Sequence, residues 1–101
     1  SHTMLNIVNK SPLERNSLDA CLRIGAPGAL LLIEDGVYAA VRGTAVEASV
    51  KAALSRFRVY ALLPDLEARA VADRVIDGVT PIDYGGFVDL VAEHNACQSW
   101  L

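Results

Sequence analysis

The sequence has few of the residues that form covalent cross-links or metal sites. Its 101 residues include two cysteines and two histidines. Two cysteines are too few for a disulfide framework, so we expect thiols or redox-active groups in a reducing compartment. Residues 1–3, which precede Met4, are interpreted as a cloning remnant, which leaves His94 as the single native histidine. One histidine and two distant cysteines do not supply a zinc site at the usual spacings, and no metal is predicted.

Positive charge and long apolar runs are also scarce. There are 9 Lys and Arg against 12 Asp and Glu, a net charge of −3, and the arginines form no basic stripe. Direct binding of nucleic acid is therefore disfavoured. The longest apolar runs, Ala29–Ile33 and Val59–Leu63, have the length of strands, whereas a membrane span needs about 20 residues. The sequence has no secretory pattern, which predicts a cytoplasmic protein, and no glycine-rich phosphate motif, so no cofactor is predicted.

Apolar residues, by contrast, are in excess. With glycine counted in place of tyrosine, the apolar share is about 56%, above the roughly 45–50% of average domains. A chain of this size buries only about two-thirds of its surface on folding. Part of the excess must therefore lie at the surface, which predicts an oligomer or a permanent partner.

Strand-sized apolar runs alternate with amphipathic stretches along the chain, a pattern typical of parallel strands joined by helical crossovers. We predict one domain, residues 4–101, of the α/β class: a three-layer sandwich with a mainly parallel sheet of four to five strands.

Capping-box spacings at Ser11 and Glu14, and at Thr44 and Glu47, mark two helix starts. The predicted strands are Leu5–Val8, Ala29–Ile33, Arg58–Leu63 and Thr80–Asp83. The predicted helices are one from Pro12 that ends at Gly25, a short piece at Val37–Val41, one after Thr44 that includes Val46–Leu54, Leu66–Val75, and a last helix through Phe87–His94. The residues expected in the core are Leu22, Leu31, Ile33, Tyr60, Leu62 and Phe87.

Three aspartates stand where predicted strands end. In open parallel sheets, ligand sites lie beyond the carboxyl ends of the strands, and Asp35, Asp65 and Asp83 would all lie there. They could form a metal or acid–base site. Each also precedes a predicted helix, where aspartate is a preferred cap. Capping is the favoured interpretation, and a small enzyme using these carboxylates is the alternative.

Cys21 is the residue with the most reactive chemistry available to it. It lies within the apolar arc of the first predicted helix, which favours a buried structural thiol. A functional thiol needs partial exposure and a nearby cation, for which Arg23 and Lys10 are candidates. Cys97, in the polar tail, has no activating neighbour in sequence. His94 continues the apolar face of the last helix, so packing is favoured over a role as a base, and a Cys/His dyad has no local signature to support it.

The end of the chain is apolar and uncharged. Trp100 is followed by Leu101 with neither a cap nor a charged tail. The pair either folds back onto the domain or packs into a partner, and the sequence favours neither.

The chain resembles the DsrH/TusB family of sulfur-relay proteins over essentially residues 4–101. The order and spacing of several segments, rather than any one catalytic motif, provide the resemblance. These segments are Leu5–Pro12, Leu31–Ala40, Val59–Leu62, Asp65–Arg69, Ile82–Leu90 and Gln98–Leu101.

The resemblance implies a small subunit of a cytoplasmic complex that passes persulfide sulfur between proteins. Its implied partners are DsrE/TusD-like and DsrF/TusC-like subunits and a downstream carrier of the DsrC/TusE kind, with no direct nucleic acid and no membrane. The complex would act in intracellular sulfur oxidation (the DsrH branch) or in wobble-uridine 2-thiolation of tRNA (the TusB branch).

The resemblance also implies a role for Cys21, because DsrH-type members have a cysteine in the first helix and many TusB-type members do not. Cys21 is thus the predicted catalytic residue, as a persulfide carrier, and it favours the DsrH branch. Cys97 matches no family position. Whether the chain is an enzyme stays open, since the main sulfur-accepting cysteine of such complexes belongs to the DsrE/TusD subunit. The alternative is a structural or interaction subunit with no sulfur-carrying cysteine of its own.

Overall fold

The computed structural model describes residues 4–100; the predicted remnant at residues 1–3 and Leu101 lie outside this range. The strands are β1 (Met4–Val8), β2 (Gly28–Leu32), β3 (Phe57–Leu62), β4 (Thr80–Ile82) and β5 (Ala96–Trp100). The α-helices are α1 (Ser17–Ile24), α2 (Glu47–Ala53), α3 (Leu63–Ala68) and α4 (Tyr84–Glu93), with 3₁₀ helices at Glu34–Ala40 and Ala72–Arg74. None of the helices within residues 4–100 combines the length and the hydropathy that crossing a bilayer requires.

All five strands form one parallel sheet in the order β4-β3-β2-β1-β5. Each crossover between strands contains helix, as the alternation of apolar and amphipathic segments predicts. The predicted α/β class, with a mainly parallel sheet of four to five strands and helical crossovers, is therefore confirmed. The fifth strand, β5, is the one that the residue pattern did not locate, because the polar run before Trp100 has no apolar alternation.

The two faces of the sheet are covered unequally. The larger core cluster lies between the sheet and α1, α2, α3 and the first 3₁₀ helix. The smaller cluster consists of Leu5, Ala29 and Leu31 from the sheet and Leu90 from α4. Among the described helices, α4 alone contributes to this second cluster. The second face is therefore only partly covered.

This unequal cover decides how far the predicted core residues are buried. Leu31 and Leu62 are buried, as predicted, whereas Leu22 is half-buried at the border of the larger cluster. The other three expected core residues, Ile33, Tyr60 and Phe87, are also half-buried and pack against the smaller cluster. The prediction placed them correctly in the apolar interior, but not at full burial.

We expect Leu31→Ala to lower the free energy of unfolding by about 2–5 kcal/mol, because a fully buried leucine on a central strand leaves a cavity that the sheet does not close. Leu62→Ala should fall in the same range. Leu13→Ala is the matched control, since Leu13 is 79% exposed. Urea denaturation followed by circular dichroism measures all three. A Leu31→Ala variant as stable as the control would contradict the strand assignment.

The first capping-box spacing forms a turn instead of a helix start. The Ser11 carbonyl accepts hydrogen bonds from the N–H groups of Glu14 and Arg15, and its hydroxyl accepts one from the Leu13 N–H at 3.2 Å. Helix α1 begins six residues later, at Ser17. The predicted start at Pro12 was therefore wrong, because serine satisfies a tight turn with the same groups that cap a helix.

The second spacing is also displaced. The Thr44 hydroxyl donates to the Val41 carbonyl, while Glu47 Oε1 accepts the Gly43 N–H at 2.7 Å. Helix α2 begins at Glu47 itself. Glu47 therefore accepts a hydrogen bond from the loop that precedes α2, and does not cap a helix that starts at Thr44. The predicted helix start after Thr44 was wrong as well.

The predicted helix Leu66–Val75 is divided in two. Helix α3 ends at Ala68, and Ala70 has a left-handed backbone with φ of 57°. The N–H of Val71 returns to the Leu66 carbonyl, which is typical of a helix C-terminus. The turn brings Val71 into the core, so burial of this side chain overrides the helical propensity of the segment. The short helical piece predicted at Val37–Val41 begins earlier, at Glu34, and is 3₁₀.

A buried polar link joins the first strand to the last described one. Asn6 is fully buried, and its amide nitrogen donates to the carbonyls of Ala26 and Ala29 at 3.0 and 3.2 Å. Its Oδ1 accepts the Trp100 Nε1–H at 3.1 Å. The side chain is thus satisfied, as buried amides require. Of the two positions that the sequence left open for Trp100, the structure shows the one folded back on the domain.

Candidate functional site

Cys21 lies on the inner face of α1, within the larger core cluster. Its side chain is 0% exposed, packed among apolar neighbours beneath the helix. Burial raises the pKa of the Cys21 thiol from 9.0 to about 11, because a thiolate is poorly stabilised in apolar surroundings; the charge of Arg56 opposes this shift only in part. At neutral pH, Cys21 is a protonated, inaccessible thiol, as the favoured interpretation of the sequence had it.

The cation that acts on Cys21 is Arg56, which is distant in sequence and was not among the predicted candidates. Its guanidinium donates to the carbonyls of Leu22 and Gly25 at 2.6 and 2.9 Å, at the C-terminal end of α1. A cation there also complements the helix dipole. Of the two predicted candidates, Arg23 pairs with Asp19 at 3.0 Å on the exposed side of the helix, and Lys10 is exposed in the loop after β1.

The raised pKa predicts a loss of stability at high pH. The folded state keeps the proton of Cys21 up to about pH 11, whereas the unfolded chain releases it near pH 9. Below pH 9 the thiol is protonated in both states, and burying Cys21 costs no stability through ionisation. As the pH rises from 9 to 11, the unfolded chain loses the proton first, and the free energy of unfolding falls. Two pH units correspond to at most about 2–3 kcal/mol.

The measurement compares the free energy of unfolding of the wild-type protein and Cys21→Ala between pH 8 and pH 11. The two proteins differ only at residue 21, so the difference between the two curves reports on Cys21. A difference in the free energy of unfolding that stays constant from pH 8 to pH 11 would contradict the raised pKa of Cys21.

Cys97 has the opposite surroundings. It is exposed on β5, the strand at one edge of the sheet, opposite Leu5 of β1. Because side chains alternate along a strand, Cys97 points to the opposite face from Trp100, which packs against the larger cluster. The structure therefore places the two thiols on different sides of the sheet, and does not join them.

His94 is a packed residue, as the favoured interpretation predicted. It is buried at the end of α4, with Nδ1 2.7 Å from the Leu90 carbonyl and Nε2 3.2 Å from Arg58 Nη2. A neutral ring with its proton on Nδ1 donates to the first partner and accepts from the second. Both ring nitrogens are occupied in this way, and neither contact is with a cysteine.

Of the three aspartates at strand ends, one caps a helix and the other two bind groups elsewhere in the chain. Asp83 caps α4, accepting the Gly86 N–H at 2.8 Å, as predicted. Capping was the wrong interpretation for the other two. Asp65 accepts the Glu34 N–H at 2.7 Å, and Asp35 is held by Arg69 through two nitrogens at 3.0 and 2.8 Å.

Arg69 thus occupies the place where a shared ligand of the carboxylates would bind. Its guanidinium lies 4.0 Å from Asp65 Oδ1 as well as against Asp35, and 6.0 Å from the centre of the Tyr38 ring. The Asp35 carboxylate raises the pKa of Arg69 further. Within residues 4–100, no group of three or more His, Cys, Asp or Glu side chains is arranged to hold a metal ion. The geometry therefore favours a structural ion pair over an acid–base site.

The surface feature that sequence reasoning missed is on the outer side of α4. Tyr84, Val88 and Val91 are 61%, 67% and 43% exposed, and with Phe87 and Ala92 they line one apolar depression. We call these five residues the α4 stripe. The spacing of 84, 88 and 91 at i, i+4 and i+7 would have predicted it. The apolar spacing of Phe87, Leu90 and His94 predicted only the inner face of the same helix.

Comparisons with known proteins place this structure in a family. Residues 10–97 match the family model described as DsrH like protein. Protein TusB of Escherichia coli O1:K1 is 39% identical over 98 residues, which are 96% of this chain and the whole of the relative. Protein TusB of Shigella flexneri is 38% identical over the same length.

A solved structure supports the fold independently. The crystal structure of the YchN protein from E. coli superposes with a TM-score of 0.84, covering 98% of this chain and 99% of YchN at 17% sequence identity. At that identity the likeness shows the fold alone. The family model and the TusB relatives, in contrast, match nearly the full length in sequence. The chain therefore belongs to the DsrH/TusB family and has a role related to sulfur relay.

Proposed function

We propose that this chain is an interaction subunit of a cytoplasmic sulfur-relay complex, in which it supplies a binding surface and no sulfur-carrying cysteine. Its partners would be DsrE/TusD-like and DsrF/TusC-like subunits, and the assembled complex would pass persulfide sulfur to a carrier of the DsrC/TusE kind. The proposal rests on family membership for the process and on the state of Cys21 for the role.

The burial of Cys21 is the observation that favours this role. A persulfide carrier must be reached by its donor and must ionise to attack it. Cys21 has no exposed surface, and its pKa of about 11 keeps the thiol protonated. For Cys21 to accept sulfur, α1 would have to separate from the sheet, against the contacts of Arg56 with its C-terminal carbonyls.

For the pathway, we propose wobble-uridine 2-thiolation of tRNA. Similarity to TusB proteins over the full length supports this branch. The cysteine in the first helix favoured the DsrH branch, but a fully buried thiol is accounted for by packing alone and is a weaker argument. Intracellular sulfur oxidation is the alternative, which the test below includes.

The test uses a bacterial strain lacking the gene, complemented with the wild type, Cys21→Ser or Cys97→Ser. The 2-thiouridine content of tRNA is measured by nucleoside mass spectrometry, and sulfur oxidation is measured in parallel. We expect the deletion to abolish 2-thiolation and all three forms to restore it. Failure of a stably folded Cys21→Ser variant alone would instead make Cys21 a sulfur carrier. A deletion that impairs only sulfur oxidation would overturn the choice of branch.

A further inference from the structure

The two edges of the sheet differ in how they are protected against pairing with a further strand. The order β4-β3-β2-β1-β5 places β4 at one edge and β5 at the other. Strand β4 has only three residues, includes Pro81, and lies between Asp77 and Asp83. Short length, proline and nearby charge are the features that keep edge strands from pairing with another chain. The β4 edge is therefore protected.

The β5 edge has none of these features. Strand β5 has five residues, and residues 95–101 include no proline and no charged side chain. The first four residues of the strand are exposed, and within residues 4–100 only β1 pairs with it. No turn or loop of the described chain forms a backbone hydrogen bond with its outer side. The backbone groups that point away from β1 are therefore available to a further strand.

A second copy of β5 fits this edge in the size and polarity of its side chains. Antiparallel pairing about a twofold axis at Gln98 brings all five residues of β5 into register and places Gln98 opposite its own counterpart. An amide both donates and accepts, so these two side chains can bond each other. On the same face, Ala96 lies opposite Trp100 of the other copy, and a small side chain meets the largest one. On the other face, Cys97 lies opposite Ser99, and both are small.

Charge also favours a second copy as the occupant. Each chain has a net charge of −3, so two copies repel each other least where no carboxylate side chain lies, and residues 95–101 are such a segment. A different protein selected by charge would find no group on β5 with which to pair. Pairing of the strand with itself needs no charge, because the backbone ladder and the residue order are complementary under the twofold axis.

We infer that β5 pairs in antiparallel orientation with β5 of a second copy of this chain, so that two five-stranded sheets continue as one around a twofold axis at Gln98. The contact concerns the chain by itself and does not depend on a role in sulfur relay. In this register the Cys97 residues of the two copies are diagonal neighbours about 7–8 Å apart. That separation is too long for a disulfide without backbone movement, so the contact is non-covalent.

The first experiment tests whether Gln98 meets its counterpart, using sedimentation equilibrium of the full-length chain. Gln98→Glu and Gln98→Lys each place like charges opposite each other, and we expect each variant alone to weaken the dimer by roughly fivefold or more. Added salt should reduce this loss. An equimolar mixture of the two variants should recover the dimer, because the charges are then opposite. Thr80→Glu and Thr80→Lys, on the exposed β4 edge, are the matched controls and should dimerise as the wild type does.

The second experiment tests the register by oxidative cross-linking. Both variants are made in Cys97→Ser, so that the introduced thiol alone can form an intermolecular disulfide at this edge. Residues directly opposite each other have Cα atoms about 4.5–5.5 Å apart, within the range of a disulfide, so Gln98→Cys should cross-link readily. Ser99→Cys, the next residue of the same strand, faces residue 97 of the other copy and should cross-link about tenfold more slowly or less. Fluorescence of Trp100, the single tryptophan, verifies that β5 stays docked in every variant.

Three results would overturn the inference. One is a wild-type chain that sediments as a monomer at the highest concentration reached. Another is a dimer that Val88→Asp dissociates and Gln98→Lys leaves intact, because the α4 stripe would then be the contact. The third is a set of Gln98 variants that dimerise normally but no longer assemble with another subunit, which would make a different chain the occupant of this edge. None of these results bears on whether the chain acts in sulfur relay, which the complementation test decides separately.

Discussion

Iodoacetamide added to the folded protein at pH 8 will alkylate Cys97 and leave Cys21 unmodified over the same period. Only the thiolate is nucleophilic, and raising the pKa from 9.0 to about 11 lowers the thiolate fraction at this pH by about 100-fold. Burial adds to this difference, because the reagent reaches Cys21 only when α1 opens. Peptide mass spectrometry at successive times gives both rates.

A control variant and a second reagent make the comparison specific. Cys97→Ser should show almost no alkylation when folded and full alkylation of Cys21 in denaturant. A persulfide donor in place of iodoacetamide tests the prediction that Cys21, rather than Cys97, carries sulfur. Rapid modification of Cys21 in the folded chain would contradict the burial described above. Persulfidation of Cys21 in the assembled complex would support its role as a carrier.

Gly36→Ala will lower the free energy of unfolding by about 3 kcal/mol or more, because the site leaves no space for a side chain. Gly36 is buried in the first 3₁₀ helix where it crosses the end of β1, and a Cβ there would overlap the Val8 carbonyl oxygen. That oxygen accepts the Ile33 N–H at 3.0 Å, so relieving the overlap would disturb the joint between β1 and β2. Chemical denaturation followed by tryptophan fluorescence measures the loss.

Gly85→Ala is the control for the effect of replacing glycine in general. Gly85 lies in the first turn of α4, and an added Cβ would meet only Asp83 Oδ1, at 3.3 Å. Alanine there should be neutral or should stabilise the protein by up to about 1 kcal/mol, since it lowers the entropy of the unfolded chain. Equal effects of the two substitutions would show that the contact with Val8 is not the cause.

The sequence predicts well those elements whose signal is local. Strand β2 is a continuous apolar run and β3 is apolar except for Arg58, as is typical of central strands in a parallel sheet, and both form within one residue of the expected bounds. Helix starts were less predictable because serine, threonine and glutamate satisfy turns with the same hydrogen bonds that cap helices. At Ser11 and Thr44 these side chains stabilise a turn instead of a helix N-terminus. The residue at which the following helix begins is then set by how that helix packs against the sheet.

In the candidate site, too, local relations were predictable from the sequence and long-range relations were not. A helical wheel places Cys21 in the apolar arc of α1, and the structure agrees, because that relation depends on a few neighbouring residues. Arg56 is 35 positions further along the chain, so no local pattern relates it to the thiol. The α4 stripe was predictable from spacing, but its exposure depends on how few elements cover that face of the sheet, which only the topology shows.

The hydrogen bond between Asn6 and Trp100 joins residues 94 positions apart, and this separation has a consequence for the order of folding. Contacts between distant parts of a chain form late, because the entropy of closing the loop must first be overcome. During synthesis, β1 can pair with β2 long before β5 exists, and until then the other edge of β1 is open. An open strand edge in a growing chain is a site for misassociation with other chains. The docking of Trp100 against Asn6 therefore covers this edge of β1 at the end of folding, and a chain interrupted before β5 would leave that edge of β1 exposed.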